Sequence, residues 1–379
     1  MPRDLIVFGE DWGGLPSSTQ HLVKHLAADR KVLWVNSIGL RRPRCSGHDV
    51  SRALAKLLSK LGTTKIAAAS QAVPHNICVV NPLTLPAPRH RLERQCAAQL
   101  LEHQLKPKMK AMGMNKPLLW ISLPTAVDMV GRLGESGVIY YCGDDFASLA
   151  GVDHAVVSLR EGDLVGLSDI IITASEQLTA RFPQSKTHTL CHGVDFALFS
   201  QPTQAAHDLP SNGKPTAGFY GSLSAWLDTE LLSEVIPAMP NWNFVFIGKE
   251  EADMSCLKGF DNAFFLGPRA HRDLPRYSQH WQVSLLPFRD NAQIRACNPL
   301  KLVEYLATGG PIVSTDFPAL APYRHLVQRA RGAEDFAEAM AMSIHLDTLE
   351  HFPTAVQSCV ANNTWQAKSA TVARWLEAL

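Results

Sequence analysis

The sequence predicts an α/β protein built from two Rossmann-like doubly wound domains in tandem, with a cleft between them. Three observations carry this. Short apolar runs recur along the chain, as expected of parallel strands buried on both faces. Helix-length segments separate most of them, which is βαβ alternation. The series halts near residue 196 in a stretch holding Pro202, Pro210 and Pro215, with Ser, Asn and Gly between them, and then restarts. With 379 residues, 46% of them hydrophobic, the chain can build two cores, and global disorder is excluded.

The elements follow in order. Leu5–Phe8 reads as a strand, Gly9 to Gly14 as a turn, residues 18–28 as a helix and Val32–Val35 as the next strand. Further strand-like runs are Ile77–Val80, Leu118–Ser122, Val138–Tyr141, Ile170–Thr173 and Thr187–Leu190. The second series is Ala217–Tyr220, Asn243–Ile247, Ala263–Leu266, Val283–Leu286 and Ile312–Ser314. The expected division is residues 1–198, a linker at 199–214, a second domain at 215–358 and a C-terminal segment at 359–379. Ligands of such sheets bind at the carboxyl ends of the strands.

The formal net charge is +1, which argues against a dedicated nucleic-acid binder. Residues 41–116 nevertheless hold 14 Lys and Arg against three acids, a local charge of +11, while the rest of the chain carries −10. Segregation of this size calls for an anionic partner or surface. Ser51–Leu61 places Leu54, Leu57, Leu58 and Leu61 at helical spacing with Arg52, Lys56 and Lys60 elsewhere. That pattern fits a membrane-surface helix, and equally a core-facing helix with a solvated basic side. No run reaches the ~18 apolar residues of a membrane span. The eight cysteines form no CxxC pair. A cytoplasmic protein, peripheral on the inner face of the membrane, is the expectation.

The most informative stretch runs from Asn298 to Ser314. Pro299 and Leu300 open a helix, Leu302, Val303 and Leu306 form its apolar face, and Gly309-Gly310-Pro311 ends it before a strand. Lys301 in the first turn, with the helix N-terminus, makes an anion site suited to phosphate. Glu304, one turn on, can accept hydrogen bonds from sugar hydroxyls. The plain alternative is an ordinary amphipathic helix with an exposed Lys–Glu pair. Gly221 and Ser222 follow a strand and can bring backbone N–H groups to a diphosphate, or simply form a tight βα turn. Asp144 and Asp145 follow the strand ending at Tyr141. One of them can serve as a general base, or cap a helix starting near Phe146. His192 ends the last strand of the first series and can enter the cleft or act at a hinge.

Several chemistries are argued against. Gly9, Gly13 and Gly14 do not make a G-x-G-x-x-G, so a nicotinamide cofactor is disfavoured, and no P-loop occurs. His21/His25 and His188/His192 lack the Glu of HExxH, so no metal site is expected.

Taken in order, the Asn298–Leu306 helix, the Gly221-Ser222-Leu223 turn, His192-Gly193-Val194-Asp195, Leu286-Pro287-Phe288 and Gly166–Ser175 resemble GT-B glycosyltransferases. The resemblance spans nearly the whole chain. It is nearest to bacterial polysaccharide enzymes, including the teichuronic-acid glycosyltransferases and the xanthan glucuronosyltransferase. It implies a nucleotide-sugar donor, with a UDP-sugar expected, held by the C-terminal domain as a co-substrate, and no other cofactor. Lys301 would then hold the diphosphate and Glu304 the ribose. Arg269, in the Gly267-Pro268-Arg269 loop, would lie along the base with Phe288 nearby. Asp145 matches the general base of the xanthan-type enzyme, with Asp144 as second candidate. The acceptor, a saccharide or lipid-linked saccharide, would enter over the N-terminal domain. The segment Trp365–Leu376 would be the helix that crosses back to it. Many retaining members carry Glu eight residues before the position of Glu304; here it is Ala296, which favours inverting, metal-independent displacement with Asp145 as base. A nucleotide-sugar epimerase on the same fold, or a non-catalytic sugar-nucleotide-binding protein, are the alternatives.

Overall fold

A computed structural model describes residues 2–14, 17–39, 73–148, 152–347 and 351–379. The basic amphipathic segment Ser51–Leu61 and much of the 41–116 charge lie outside the described residues. The chain forms two compact units, residues 1–190 with 369–379, and residues 191–368.

In the first unit seven strands form a parallel sheet in the order β3-β2-β1-β4-β5-β6-β7. They are β1 Leu5–Phe8, β2 Val32–Val35, β3 Ile77–Val80, β4 Leu118–Ile121, β5 Gly137–Cys142, β6 Ile170–Thr173 and β7 Thr187–Thr189. Every residue of β1, β2, β4, β5 and β6 is buried, which is why those segments read as unbroken apolar runs rather than alternating ones. Strand order reverses between β1 and β4, so the loops after β1 and β4 diverge there. Helix Ser18–Leu26 follows β1, with Ser17 capping it through the Gln20 N–H.

The second unit repeats the plan with six strands in the order β10-β9-β8-β11-β12-β13. They are β8 Thr216–Tyr220, β9 Asn243–Ile247, β10 Ala263–Phe265, β11 Val283–Leu286, β12 Ile312–Thr315 and β13 Val327–Ala330. All neighbours again run parallel. The reversal point lies between β8 and β11. The sequence pattern does not disclose β13: it reads Val-Gln-Arg-Ala and lies at the sheet edge, where only its ends are buried. A continuous apolar run is not needed at an edge.

Residues 199–214, expected as a linker, lie within the second unit. Asp195 caps a short helix, Phe196–Ser200, that seats Phe199 in the core. Gln279 then pins the chain, donating to the carbonyls of Phe199 and Gln201 and accepting from Thr203. The last helix, Trp365–Glu377, contributes its residues through Lys368 to the second unit and those from Ser369 to the first. In the first unit Trp375 stacks on His188 at 4.6 Å, and Ser369 donates to the Leu22 carbonyl. Among the described residues no helix is long and apolar enough to cross a membrane.

Candidate functional site

In the second unit, the carboxyl ends of β8, β9 and β11 and the start of helix Leu300–Thr308 converge. Lys301 stands at the centre. Its ammonium lies 4.8 Å from the Trp226 ring centroid, 5.3 Å from Phe219 and 5.5 Å from Phe288. Three aromatic faces stabilise the cation through their quadrupoles, yet among the described residues no carboxylate pairs with it. Burial pulls the lysine pKa down from its ordinary value, while Cys297 and Glu304 act in the opposite direction. A partly desolvated, unpaired cation is costly unless an anion completes it. The helix end adds to the pull: its cap residue is Pro299, whose side chain makes no cap hydrogen bond.

Two glycines allow this convergence. Gly221 has φ +130°, and a Cβ there would stand 2.8 Å from Lys301 Cε. Gly248, at φ +153°, lies against the Gly221 carbonyl, where a Cβ would come within 1.8 Å. The Gly221 N–H is already spent on the Ile247 carbonyl at 2.8 Å. Gly221 therefore contributes close approach to Lys301 rather than a free donor. Ser222 follows it, half-buried.

Glu304 is buried, and both its oxygens are engaged. Tyr220 donates its hydroxyl to Oε2 at 2.8 Å, and His271 Nε2 lies 2.6 Å from Oε1. Tyr220 is itself fixed, since its N–H donates to the Tyr305 hydroxyl. Burial, then the charge of Glu304, raises the Tyr220 hydroxyl pKa well above the ordinary tyrosine value, so it stays a donor. Arg269 is held within the same unit: it donates to Asp208 at 2.6 Å and to the Tyr277 hydroxyl at 2.9 Å. Tyr277 completes the triangle by donating to Asp208. Burial pushes the Asp208 carboxyl up, but these hydrogen bonds outweigh it and hold it below the usual range. Phe288 is buried in the Lys301 cage, and its N–H donates to Thr315 Oγ1. Leu300, half-buried, packs on the core beside Pro299.

In the first unit the two acids after β5 have different surroundings. Asp145 forms an ion pair with Arg181 and accepts from the Ala147 N–H and the Ser148 hydroxyl. Arg181 also reaches Glu161, which takes the Tyr140 hydroxyl at 2.6 Å. Asp145 is thus bound into a local network and shapes the turn that follows it. Among the described residues the Asp144 carboxylate makes no hydrogen bond. It is exposed, yet partial desolvation, then the charge of Asp145, raises its pKa. Glu10, after β1, is raised likewise by burial, and the like charges of Asp144 and Asp11 add to the rise, although its own backbone and Ser17 lower it. Ser17 donates to Glu10 Oε2 at 3.0 Å.

His192 belongs to the second unit, beside Trp365 at 6.1 Å. Burial, then the charge of Lys368, lowers its pKa to about 4, so it is neutral near pH 7. Gly193 beside it is required by packing, because a Cβ would meet the Trp365 backbone nitrogen at 2.8 Å.

The structure therefore brings Lys301, Gly221, Phe288 and Pro299 together, with Glu304 one helical turn away. It adds Trp226, Phe219, Tyr220 and His271, which sequence reasoning missed. Trp226 and Phe219 flank the Gly221 turn, so proximity in sequence was a usable signal. His271 had none, since its partner is 33 residues away.

Comparison with known proteins now decides the family of folds. Residues 214–345 match the family described as Glycosyl transferases group 1. Over its whole length the chain superposes on Anabaena Alr3699/HepE in complex with UDP and glucose, covering 100% of both chains with a TM-score of 0.66 at 13% identity. The fold is GT-B. Sucrose-phosphate synthase of Thermosynechococcus elongatus shares it, with a TM-score of 0.68, 15% identity and 99% of each chain covered. TuaH of Bacillus subtilis (strain 168), whose name assigns it to teichuronic acid biosynthesis as a glycosyltransferase, is 27% identical over 221 residues. That match spans 53% of this GT-B chain and 56% of TuaH. The Lys301 cage lies inside the matched Glycosyl transferases group 1 domain.

Proposed function

We propose that this protein is a glycosyltransferase that moves a sugar from a nucleotide-sugar donor to a saccharide acceptor. The observation that carries the reading is the Lys301 ammonium, caged by Phe219, Trp226 and Phe288 at a helix N-terminus, with no carboxylate pairing it among the described residues. That arrangement suits a diphosphate, whose negative charge grows as it leaves the sugar. UDP is the nucleotide we assign, in keeping with the UDP in the HepE structure. In the reaction the acceptor hydroxyl oxygen bonds to the anomeric carbon and the bond from that carbon to the diphosphate oxygen breaks. The hydroxyl proton passes to a carboxylate.

We assign that base to Asp144 rather than Asp145. Asp145 is occupied by Arg181, Ala147 and Ser148, whereas the Asp144 carboxylate makes no hydrogen bond among the described residues and has its pKa raised above the ordinary aspartate value. Because lysine and the helix end supply the positive charge, we propose that turnover needs no metal and survives chelation by EDTA.

The acceptor we assign is lipid-linked, at an anionic membrane face, as part of cell-surface polysaccharide synthesis. The described part of the basic segment supports this. Helix Arg91–Met112 leaves Leu92 and Leu100 exposed, with exposed Lys106, Lys108 and Lys110 further along, and Leu83 and Leu85 are exposed just before it. Exposed leucines among lysines suit an interface between headgroups and acyl chains. The deciding experiment is release of UDP from UDP-sugars on addition of lipid-linked saccharides. Binding of a nucleotide sugar with no release, across a broad acceptor panel, would leave a binding protein instead. Appearance of an epimer from donor alone would make it an epimerase.

A further inference from the structure

The first unit holds a concentration of positive charge that the transfer reaction does not use. Helix Arg91–Met112 packs on the 3-10 turn Pro124–Met129, which follows β4. Beside that contact lies a cleft of about 210 Å³, lined by Arg91, Arg94, Gln95, Asp128 and Arg132. Three guanidiniums thus share it with one carboxylate. A water's share of liquid volume is ~30 Å³, so the space admits a phosphate group and several waters.

The one carboxylate is already committed. Arg94 Nε donates to both Asp128 oxygens at 3.0 Å, and Arg94 Nη2 donates to Oδ1 as well. The same Nη2 reaches Asp163 at 3.4 Å. Arg132 donates from Nε to the Asp128 carbonyl at 2.9 Å and from Nη1 to Glu102 at 3.3 Å. Asp163 and Glu102 do not line the cleft. A guanidinium carries five N–H donors, so these bonds fix the direction of Arg94 and Arg132 without exhausting them. Arg91 is exposed, and among the described residues its side chain makes no ion pair.

The chemistry of this lining is specific. Guanidiniums present paired N–H groups that match phosphate oxygens, whereas Lys106, Lys108 and Lys110 on the same helix are point charges on flexible stems. A phosphomonoester offers three free oxygens to three guanidiniums, where a diester offers two. Leu92, next to Arg91, is 74% exposed. An apolar side chain beside an anion site suits the boundary between headgroups and acyl chains.

We propose that this cleft binds a terminal phosphate group, and that an anionic lipid headgroup supplies it. The lipid source rests on the membrane reading of this surface; the site itself does not. A fixed anchor of this kind would set the orientation of the first unit on the bilayer, which a diffuse field of lysines does not.

The test uses the full chain carrying Lys301→Ala, so that the Lys301 cage does not take up the probe. Inorganic phosphate is titrated and followed by phosphorus NMR. In parallel, co-sedimentation is measured with phosphatidylcholine vesicles doped with phosphatidic acid, or with phosphatidylglycerol to the same surface charge. Arg91→Gln should hold phosphate about tenfold more weakly, the loss of one charge-assisted pair. Arg91→Lys keeps the charge and loses the fork. It should bind phosphate and phosphatidic acid several-fold more weakly, yet bind phosphatidylglycerol vesicles as its parent does, a split that charge alone would not give. Melting curves of both variants should match the parent, and if Arg91→Gln does not fold, Arg91→Lys carries the test. Absence of Arg91-dependent binding to either phosphate or phosphatidic acid overturns the site and leaves a diffuse charge. Arg91-dependent binding of free phosphate, with phosphatidic acid binding that ignores Arg91, overturns the lipid source and assigns the site a soluble phosphate. Arg91-dependent phosphate binding by a protein that sediments with no anionic vesicle removes the membrane reading and the lipid source together, while the site stands.

Discussion

The Lys301 ammonium lies 4.8 Å from the centroid of Trp226, and aromatic rings rather than a carboxylate surround it. A salt bridge would have neutralised the lysine. A cage of π faces holds the charge in place and leaves it unneutralised, which is what a binding site for a diphosphate needs.

Lys301→Ala should therefore remove nucleotide binding with little loss of fold, because the deleted charge is one that the empty protein does not pair. We expect at least a hundredfold weaker UDP affinity by calorimetry, of the order of 3 kcal/mol. Trp226→Leu should weaken binding by a smaller factor, roughly fivefold, since two rings remain. Equal affinity in wild type and Lys301→Ala would rule out this site for the diphosphate.

Gly221→Ala tests the turn. The left-handed φ of +130° strains any L side chain, and the new methyl would lie 2.8 Å from Lys301 Cε. A stability loss of about 1–3 kcal/mol is expected, together with weaker nucleotide binding as the lysine is pushed from its cage. Differential scanning calorimetry and titration report the two effects separately. A variant with wild-type melting and wild-type affinity would contradict the geometry.

Asp144 and Asp145 make opposite predictions. Asp145→Asn loses the Arg181 ion pair and should lower Tm with only a modest loss of turnover. Asp144→Asn should abolish turnover and raise Tm at pH 7. The sign follows from the raised pKa: the folded state binds the Asp144 proton more tightly than the unfolded chain does. The ionised form thus costs stability, and this cost is absent below the ordinary carboxylate range and grows as pH rises through the raised value. The Tm gap between Asp144→Asn and wild type should accordingly close as pH falls toward 3. For the same reason the acid limb of kcat/KM should lie above the usual aspartate value. Near-wild-type turnover in Asp144→Asn would return the role of base to another group.

The exposed leucines of the first unit give a membrane test that the charge count alone does not. Wild type should co-sediment with vesicles containing anionic lipid and be released by salt. Leu92→Ser with Leu100→Ser should weaken binding several-fold at low salt while melting as wild type does, because both side chains already face solvent. Binding indifferent to salt, to anionic lipid and to both leucines would rule out this surface.

Much of the fold was legible because buried parallel strands must be apolar along their whole length. Leu5–Phe8, Ile170–Thr173 and Val283–Leu286 therefore announce themselves, and the helical segments between them imply parallel pairing. Edge strand β13 escaped because an edge tolerates Gln328 and Arg329. Packed irregular chain escaped too: residues 199–214 look like a linker by composition, and residues far along the chain, Gln279, Arg269 and Tyr277 among them, hold them down.

By itself the sequence determined the doubly wound α/β class in two repeats, and with it the places where function could sit, at strand ends and at the start of the helix bearing Lys301. These are local properties: periodicity, a proline, a glycine, a charge in a first turn. Only the tertiary structure decided what each group has as company. It surrounded Lys301 with aromatic rings, closed both oxygens of Glu304 with Tyr220 and His271, and set Asp145 in a network while leaving Asp144 without one. Those contacts join residues tens of positions apart, so no local pattern encodes them. Burial then sets the protonation and availability that chemistry requires.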